Sequence, residues 1–388
     1  MTIPVMRPWL GPEEAAAAAA AVSSGWVAQG PRVAEFEEAF AAAIGARHAV
    51  ALSSCTAGLH LALVAIGIGP GDEVIVPSLS FIATANAARY TGAEPVFADV
   101  DGATQNLTPA TVEPRLTSRT RAVIVVDQAG VPADLAAIQA FCEPRGIEVI
   151  EDAACAAGSV YRGRPAGAGA RLAAFSFHPR KLLTTGEGGM LVTPDGELAA
   201  RLRRLREHGM DVSAAQRHAS RQPVIERYLE VGFNYRMTDV QAAIGLVQLG
   251  KLAALVARRR ALARRYQDLL AGLGGLATIG DPAHGTTNFQ SFWVLLPAGF
   301  PVGRDDLMRT LAGAGVSARR GIMAAHLEPA YAGRPCAPLP VTERLSASSL
   351  ILPLFHELTE PEQQHVVSVI AAAAGQRAGG AMTAVHAD

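Results

Sequence analysis

Lysine is almost missing from this chain of 388 residues: Lys181 and Lys251 are the only lysines among its 34 basic residues. Codon usage in a GC-rich genome can produce such a bias. Arginine keeps its positive charge at neutral pH and cannot act as an amine nucleophile. If this protein carries out lysine chemistry, that chemistry therefore has two candidate residues.

Cysteine is also scarce, and its spacing excludes two classes of protein. The four cysteines contain no C-x-x-C pair and are too few for a disulfide framework. No group of histidine, cysteine and acidic residues has the spacing of a metal site, so no metal is predicted.

An excess of charge and a long apolar run are missing as well. The formal net charge is −1, which gives no general footprint for nucleic acid or an anionic membrane. The longest unbroken apolar run covers residues 15–22, far short of the ~20 residues that cross a bilayer. The first residues, MTIPVMRPWL, lack the basic start and apolar run of a signal peptide. We therefore expect a cytoplasmic protein that binds neither nucleic acid nor a membrane.

What the chain does contain is a large apolar fraction arranged in short runs. Half of its residues are hydrophobic and 18% are charged, which excludes wholesale disorder. Short Val-, Ile- and Ala-rich runs alternate with helical segments such as 57–66 and 133–143. This pattern predicts an α/β fold with a mostly parallel sheet, covered by helices, whose ligands bind at the carboxyl ends of the strands. The predicted strands cover residues 48–52, 73–77, 95–100, 122–127, 148–152, 173–177 and 190–193.

The last third of the chain has a different pattern and predicts a second domain. Capping boxes at Thr238 and Thr359 begin a long helix that runs toward Arg265 and a C-terminal helix that ends near Gly375. Between them we predict strands at 291–296 and 321–324 and a helix at 305–314. The expected organisation is a large domain over 1–255, a smaller α+β domain over 256–375 and a flexible tail over 376–388.

Two candidate binding features follow the first two predicted strands. Ser54, Thr56 and Ala57 open a helix, where hydroxyls and backbone N–H groups suit a phosphate, although simple N-capping by Ser54 explains the serine equally well. Phe81 follows the second strand, where its ring can stack on a flat ligand or simply pack in the core.

Two further features supply a carboxylate and an amine. Asp152 ends a buried strand, where it can hold a protonated ring nitrogen, cap a helix or bind a metal. Lys181 leaves another buried strand, and we expect burial to lower its pKa so that the amine can attack a carbonyl; a surface lysine is the alternative. Lys251 is expected on a solvated helix face. A phosphate site, a stacking ring, a carboxylate and an amine together match the needs of pyridoxal phosphate.

Several longer motifs resemble the DegT/StrS family of sugar aminotransferases, which depend on pyridoxal 5′-phosphate. The resemblance extends from about Pro8 to about Ile370, and it implies the fold type I architecture and a homodimer with a shared active site. It also implies glutamate or glutamine as amino donor and a nucleotide-linked keto-sugar as acceptor. The motifs are GPRVAEFE at 30–37, GPGDEVIVP at 69–77, EDAA at 151–154, FSFH at 175–178 with Lys181, and GFNYRM at 232–237.

The resemblance assigns roles to individual residues. Lys181 is similar to the Schiff-base lysine of the family and Asp152 to the partner of the pyridine nitrogen. Phe81 matches the stacking ring, while Asn234 matches an asparagine that reaches the phosphate in the neighbouring subunit. The remaining matches are phosphate contacts at Thr56, Ala57 and Ser176, to which we add Ser54, and substrate contacts at Tyr235 and His326.

One departure from the family concerns Cys155. Many relatives carry glutamine or histidine there, next to the cofactor ring, whereas a thiol is smaller and a poorer hydrogen-bond donor. This change puts the substrate in doubt more than the reaction class.

Three alternatives stay open. The same chemistry could act on a cyclitol or another small ketone. Sugar deoxygenation is disfavoured because relatives that perform it replace the lysine. A non-catalytic regulator that binds the cofactor or an amino sugar would tolerate a degraded site, whereas Lys181, Asp152 and Ser176 are all present.

Overall fold

The structure, a computed structural model, describes residues 2–213, 217 and 220–375. The tail predicted over 376–388 lies outside the described residues. Within the described part the chain forms eleven α-helices and fourteen strands.

The helices, numbered in chain order, are α1 Pro12–Ser23, α2 Pro31–Ile44, α3 Cys55–Ala65, α4 Ala83–Tyr90, α5 Pro109–Val112, α6 Leu135–Cys142, α7 Gly196–Leu205, α8 Asp239–Leu270, α9 Arg304–Gly313, α10 Pro340–Ser348 and α11 Glu360–Ala373. The strands are β1 His48–Leu52, β2 Glu73–Pro77, β3 Glu94–Ala98, β4 Thr120–Val126, β5 Glu148–Asp152, β6 Val160–Tyr161, β7 Arg164–Pro165, β8 Leu172–Ser176, β9 Gly189–Thr193, β10 Ala277–Thr278, β11 Gly285–Thr286, β12 Phe292–Leu295, β13 Arg319–Arg320 and β14 Ser349–Leu352.

The central sheet has seven strands in the order β1-β9-β8-β5-β4-β2-β3. All neighbouring pairs are parallel except the two that involve β9, which runs antiparallel to β1 and β8. Alternate residues of β4 show why these strands are apolar throughout: Val123 and Val125 pack in one hydrophobic cluster, and Ile124 and Val126 pack in another on the opposite face. Burial on both faces requires such continuous apolar runs. The predicted α/β fold with a mostly parallel sheet is confirmed.

A second sheet contains four antiparallel strands in the order β10-β12-β14-β13 and has its own hydrophobic cluster. Ile3, near the start of the chain, belongs to this cluster, and its backbone bonds to Gly315 and Ser317. Helix α8 contributes to both regions, since Ala242 packs under the central sheet and Leu262 under the second. The domain boundary at residue 256 therefore stays a prediction.

Most predicted elements are found with ends that differ by a few residues, and both capping boxes are present. Thr238 accepts from the Gln241 N–H, and Thr359 accepts from the Glu362 N–H. The strand predicted at 321–324 is wrong, because pairing with β14 ends at Arg320. Gly321 passes so close to Ser349 that a Cβ there would lie 1.7 Å from the Ser349 Oγ, and the chain then leaves the second sheet.

Helix α8 is long and apolar enough to cross a membrane by length and composition, and one third of its most apolar window is buried in the protein. Core helices of globular proteins meet the same criteria, so this finding is weak evidence for a span. The helix packs against α1, α2 and α11 and carries five arginines in its second half, which favours a structural helix shared by both sheets.

Candidate active site

Lys181 lies in the loop between β8 and β9, at the carboxyl edge of the central sheet. The loop is held by Gln290, two residues before β12, whose Oε1 accepts from the Leu182 N–H at 3.1 Å and whose amide donates to the Arg180 carbonyl. The Lys181 Nζ donates to the Cys155 Sγ at 3.1 Å. The amine therefore points into the interior, as a catalytic lysine requires.

The protonation of Lys181 differs from the expectation. Burial lowers the pKa of the Lys181 ammonium, but the Cys155 and Cys55 thiols and the Asp152 carboxylate favour the charged form and raise the pKa above its usual value. The expected decrease in the pKa of Lys181 is therefore wrong for the protein without cofactor. Sequence spacing did not show that sulfur and carboxylate groups surround the amine.

The second lysine, Lys251, is also placed differently from the expectation. Its side chain is only 17% exposed and its Nζ lies 2.6 Å from Glu13 and 2.7 Å from Glu14. These ion pairs join α8 to α1, so Lys251 is a structural residue rather than part of a solvated face.

Asp152 is buried at the end of β5 and is held by the neighbouring elements. Its Oδ2 accepts from the Thr84 hydroxyl at 2.9 Å, and its Oδ1 accepts from the Ala154 N–H at 3.2 Å. Burial raises the pKa of the Asp152 carboxyl, and the two hydrogen bonds and the charge of Lys181 offset only part of that rise. A buried carboxylate of this kind is stabilised by a positively charged partner.

The residues predicted to bind phosphate meet at Gly189, the first residue of β9. The register pairs Gly189 with Leu52 of β1 on one side and with Ser176 of β8 on the other. A Cβ at Gly189 would lie 2.5 Å from the Cys55 backbone nitrogen, so glycine is required for the N-terminus of α3 to pack here. Ser176 and the start of α3 thus both adjoin Gly189, and we call the four predicted phosphate-binding residues the phosphate cradle (Ser54, Thr56, Ala57 and Ser176).

Within the phosphate cradle, Ser54 is the N-cap of α3. Its Oγ accepts from the Ala57 N–H at 3.1 Å, which is the N-capping role that the sequence also allowed. The N–H groups of Cys55 and Thr56 belong to the first turn and have no acceptor within the helix. Such groups at the positive end of a helix dipole suit an anion, and the predicted phosphate contacts stay predictions.

Phe81 is 62% exposed and lies in the turn before α4. Its carbonyl accepts from the Thr84 N–H at 3.1 Å, and Thr84 in turn bonds to Asp152. Among the described residues Phe81 stacks on no other ring, so it is not the core phenylalanine that the sequence also allowed.

Asn234 and Tyr235 have side-chain partners other than Lys181 and Asp152 in this chain. The exposed Asn234 accepts from the Arg236 Nε at 3.1 Å, and the Tyr235 hydroxyl lies 3.0 Å from the His60 Nδ1. The Tyr235 carbonyl accepts from the Ser53 N–H at 2.8 Å, which fixes the segment that leads into α3. The predicted contacts of Asn234 and Tyr235 with cofactor and substrate stay predictions.

His326 lies in a short 3-10 helix, Ala325–Leu327, which follows the end of β13. Its side chain is 9% exposed, and its Nδ1 lies 2.6 Å from the hydroxyl of Ser78, just after β2. The histidine is therefore held at the same edge of the central sheet as Phe81 and is not a free surface residue. Its predicted contact with the substrate stays a prediction.

Sequence reasoning missed Thr84, Cys55 and Gln290 as supports of the site. Thr84 follows Phe81 by one helical turn, a spacing that could have indicated it. The Cys55 Sγ lies 4.0 Å from the Asp152 Oδ1, and Gln290 is 108 residues from Leu182 in sequence. Neither contact has a local sequence signal.

A pair of buried carboxyls, Asp127 and Glu151, was also missed. The Asp127 Oδ1 accepts from the Ala133 N–H at 2.9 Å and the Glu151 Oε1 accepts from the Gly167 N–H at 3.0 Å. Their other oxygens are buried. Burial and mutual repulsion raise the pKa of Asp127, and burial raises that of Glu151. A proton shared between the two oxygens satisfies both.

The arrangement described above matches known proteins over nearly the whole chain. The model of the DegT/DnrJ/EryC1/StrS aminotransferase family matches residues 8–371. The chain belongs to this family. It is 38% identical to the aminotransferase TlmJ from Streptoalloteichus hindustanus, with 96% of this chain and 99% of that chain covered and a TM-score of 0.88.

Two other solved structures agree with this assignment. DesI, crystallised in the presence of its TDP-sugar product, is 36% identical over 93% of this chain and 90% of its own, with a TM-score of 0.84. Spr1654 from Streptococcus pneumoniae, in its PLP form, is 25% identical over 97% of this chain and 99% of its own, with a TM-score of 0.90. The protein is thus an aminotransferase of fold type I, and pyridoxal 5′-phosphate is its cofactor, as the sequence predicted.

The described residues fit this cofactor. Burial raises the pKa of the Asp152 carboxyl despite the nearby charge of Lys181, and a protonated pyridine nitrogen would stabilise its charged form further. Among the described residues the Cys55 and Thr56 N–H groups at the start of α3 have no hydrogen-bond acceptor, and the ring of Phe81 is exposed. In the described part of the chain no group of three or more His, Cys, Asp or Glu residues could hold a metal.

Proposed function

We propose that this family member transfers an amino group from glutamate or glutamine to the ketone of a nucleotide-linked keto-sugar, with Lys181 as the covalent anchor of the cofactor. The observation that carries this proposal is the placement of an inward-pointing lysine amine and a buried carboxylate at one edge of the central sheet. These are the two groups that pyridoxal chemistry takes from a protein.

In this proposal each side chain has a separate task. Asp152, fixed by Thr84, keeps a proton on the pyridine nitrogen, while the phosphate cradle and Phe81 set the position and tilt of the ring. Bound pyridoxal phosphate would supply an aldehyde for a covalent link to Lys181 and a ring that withdraws electrons. The Lys181 amine, when not in that link, would be the base that takes the proton from the donor α-carbon.

The acceptor class is supported by relatives rather than by a contact in this chain. DesI was crystallised with its TDP-sugar product, and this chain matches it over most of its length. We extend that class to the present protein and place His326 and Tyr235 near the sugar. A cyclitol or another small ketone is the alternative that the test must distinguish.

We also propose that the enzyme works as a homodimer with a shared active site. Asn234 is exposed and its side chain bonds to Arg236 rather than to Lys181 or Asp152, which suits a residue that completes the site of a second copy. A cytoplasmic location stays an expectation from the sequence.

The test is a screen of acceptors with the purified, cofactor-loaded protein. Nucleotide-linked keto-sugars, cyclitol ketones and simple 2-keto acids are each incubated with L-glutamate or L-glutamine, and the aminated product is identified by mass spectrometry. We expect turnover with a keto-sugar nucleotide and none with Lys181→Ala. Turnover with a cyclitol alone would contradict the proposed acceptor, and equal activity of Lys181→Ala would contradict the proposed role of the lysine.

A further inference from the structure

A small cavity next to Lys181 lies between the central and second sheets. Its volume is about 130 Å³. The cavity is lined by three arginines besides the lysine, and none of its lining residues is acidic. Its polar lining residues are Cys155, Arg180, Lys181, Arg259, Gln290, Ser291 and Arg319.

Arg259 is the most deeply buried of these cations, with 2% of its surface exposed. Its Nε and Nη2 donate to the carbonyls of Phe289 and Gln290 at 2.8 and 2.7 Å, and its Nη1 contacts the Met6 Sδ at 3.5 Å. A guanidinium has five N–H groups, so two are left over. No carboxylate pairs with Arg259 among the residues that the structure describes, and burial lowers its pKa to about 9.

Arg319 reaches the cavity from the second sheet. It stands opposite Ile351 in the β13–β14 pairing, and Ile351 also lines the cavity. Burial and the nearby charge of Arg180 lower the pKa of Arg319. In the described ranges neither Arg180 nor Arg319 forms an ion pair, although most other arginines of the chain do. Like charges that converge without an acid are unfavourable unless an anion binds between them.

We propose that this cavity binds a carboxylate of the amino donor through Arg180, Arg259 and Arg319, and so holds the donor beside the Lys181 amine. Guanidinium groups bind carboxylates by paired, charge-assisted hydrogen bonds. The cavity is small and its charged lining residues are all cations, which suits a carboxylate on a short chain. The inference rests on the proposed function, because that function supplies the donor.

The test compares Arg319→Gln with Arg320→Gln as a matched control. Arg320 is the next residue of the same strand, pairs with Glu328 at 2.9 Å and does not line the cavity. Calorimetry measures the binding of glutarate, an unreactive dicarboxylate, to the full-length protein with and without cofactor. We expect the Kd for glutarate to rise on the order of 10- to 100-fold in Arg319→Gln and less than about twofold in Arg320→Gln.

A stability measurement separates lost binding from lost folding. Arg319 forms no side-chain hydrogen bond within the described residues and is repelled by Arg180, so Arg319→Gln should melt at or above the wild-type temperature. Arg180→Gln, on the exposed side of the loop, provides a second variant with the same expected loss of glutarate binding. Equal affinity of all variants for glutarate, or no binding by the wild type, would overturn the proposal. Inorganic phosphate that binds more tightly than glutarate would also overturn it, because the cavity would then be a phosphate site.

The reaction with L-glutamate distinguishes this proposal from the proposed function. If both hold, Arg319→Gln raises the glutamate concentration needed for half-maximal bleaching of the cofactor without changing the limiting rate. Bleaching with the same concentration dependence in Arg319→Gln would overturn the carboxylate site and leave the aminotransferase function in place. A wild type that binds glutarate through Arg319 but is not bleached would contradict the proposed donor and leave the carboxylate site in place.

Discussion

Cys155 is the residue that most affects the protonation of Lys181. Its Sγ lies 3.1 Å from the Lys181 Nζ, and it is the strongest of the influences that raise the pKa of the amine. A protonated amine cannot attack an aldehyde. The thiol therefore raises the pH at which Lys181 of the cofactor-free protein loses its proton and becomes reactive.

Replacing this thiol should make the lysine reactive at lower pH. In Cys155→Ala the pKa of Lys181 should fall, because burial, which lowers it, then acts with less opposition. The fraction of neutral amine rises with pH through this pKa, so the rising part of the rate–pH profile should move to lower pH. On that rising part, each unit by which the pKa falls should increase the rate at a given pH about tenfold. The measurement is the rate at which the cofactor-free protein takes up pyridoxal phosphate, followed by absorbance from pH 6 to 10.

Cys336→Ala is the control for this experiment, since Cys336 is exposed and bonds only to the neighbouring Ala337 carbonyl among the described contacts. Its profile should match the wild type. A Cys155→Ala profile that is unchanged, or that moves to higher pH, would show that the thiol does not set the lysine pKa.

Sequence reasoning found the site residues that have a local signal and missed those whose role depends on tertiary contacts. The near absence of lysine made Lys181 conspicuous, and Asp152 was placed by the end of an apolar run. The groups that surround them come from distant segments: Thr84 of α4 and Cys55 of α3 affect the pKa values, and Gln290, two residues before β12, holds the Lys181 loop. Contacts of this kind depend on tertiary packing and leave no local pattern.

At the scale of elements, the buried carboxylate of Asp239 joins helix α8 to the start of helix α2. Asp239, in the first turn of α8, is fully buried and accepts from the N–H groups of Gly30, Arg32 and Val33 at 2.8–3.1 Å. It thus caps the N-terminus of α2, which starts at Pro31 after a glycine with no side chain of its own to do so.

Removal of this cap should destabilise the protein strongly. In Asp239→Ala three buried N–H groups lose their acceptor, and we expect the free energy of unfolding to fall by about 3 kcal/mol. Asp268→Ala, an exposed position in the last turn of the same helix, should change it by less than about 0.5 kcal/mol. Urea denaturation at equal protein concentration measures both values. An Asp239→Ala variant as stable as the control would show that α2 is capped in another way.

Element boundaries were predictable where the sequence itself contains the signal. The capping boxes at Thr238 and Thr359 gave the starts of α8 and α11 correctly. The apolar run at 321–324 led to a wrongly predicted strand. The backbone leaves the second sheet at Gly321, and the Ala325 N–H then donates to the Ser78 carbonyl. The antiparallel direction of β9 was not predicted either, since strand direction depends on the path of the glycine-rich loop after Lys181.

At the scale of the whole molecule, the proposed shared active site makes a prediction about mixed dimers. Lys181→Ala and Asn234→Ala homodimers should each be nearly inactive. When the two variants are co-expressed, each mixed dimer has one site in which Lys181 and Asn234 are both intact. With random pairing, about a quarter of the wild-type activity should return.

The control for this experiment mixes the two variants after separate purification without subunit exchange, which should restore nothing. Activity that stays absent in the co-expressed sample, or a fully active Asn234→Ala homodimer, would contradict a shared site. Size-exclusion chromatography of the same samples shows whether dimers are present.

The central claim is that Lys181 and Asp152 form a working aminotransferase site, and the visible absorption spectrum tests it most directly. The purified protein, supplied with pyridoxal phosphate, is measured before and after L-glutamate is added, with Lys181→Ala in parallel. We predict a yellow wild-type protein that bleaches with glutamate and a variant that does neither. A wild type that stays colourless with added cofactor, or a Lys181→Ala protein that behaves like it, would contradict the account.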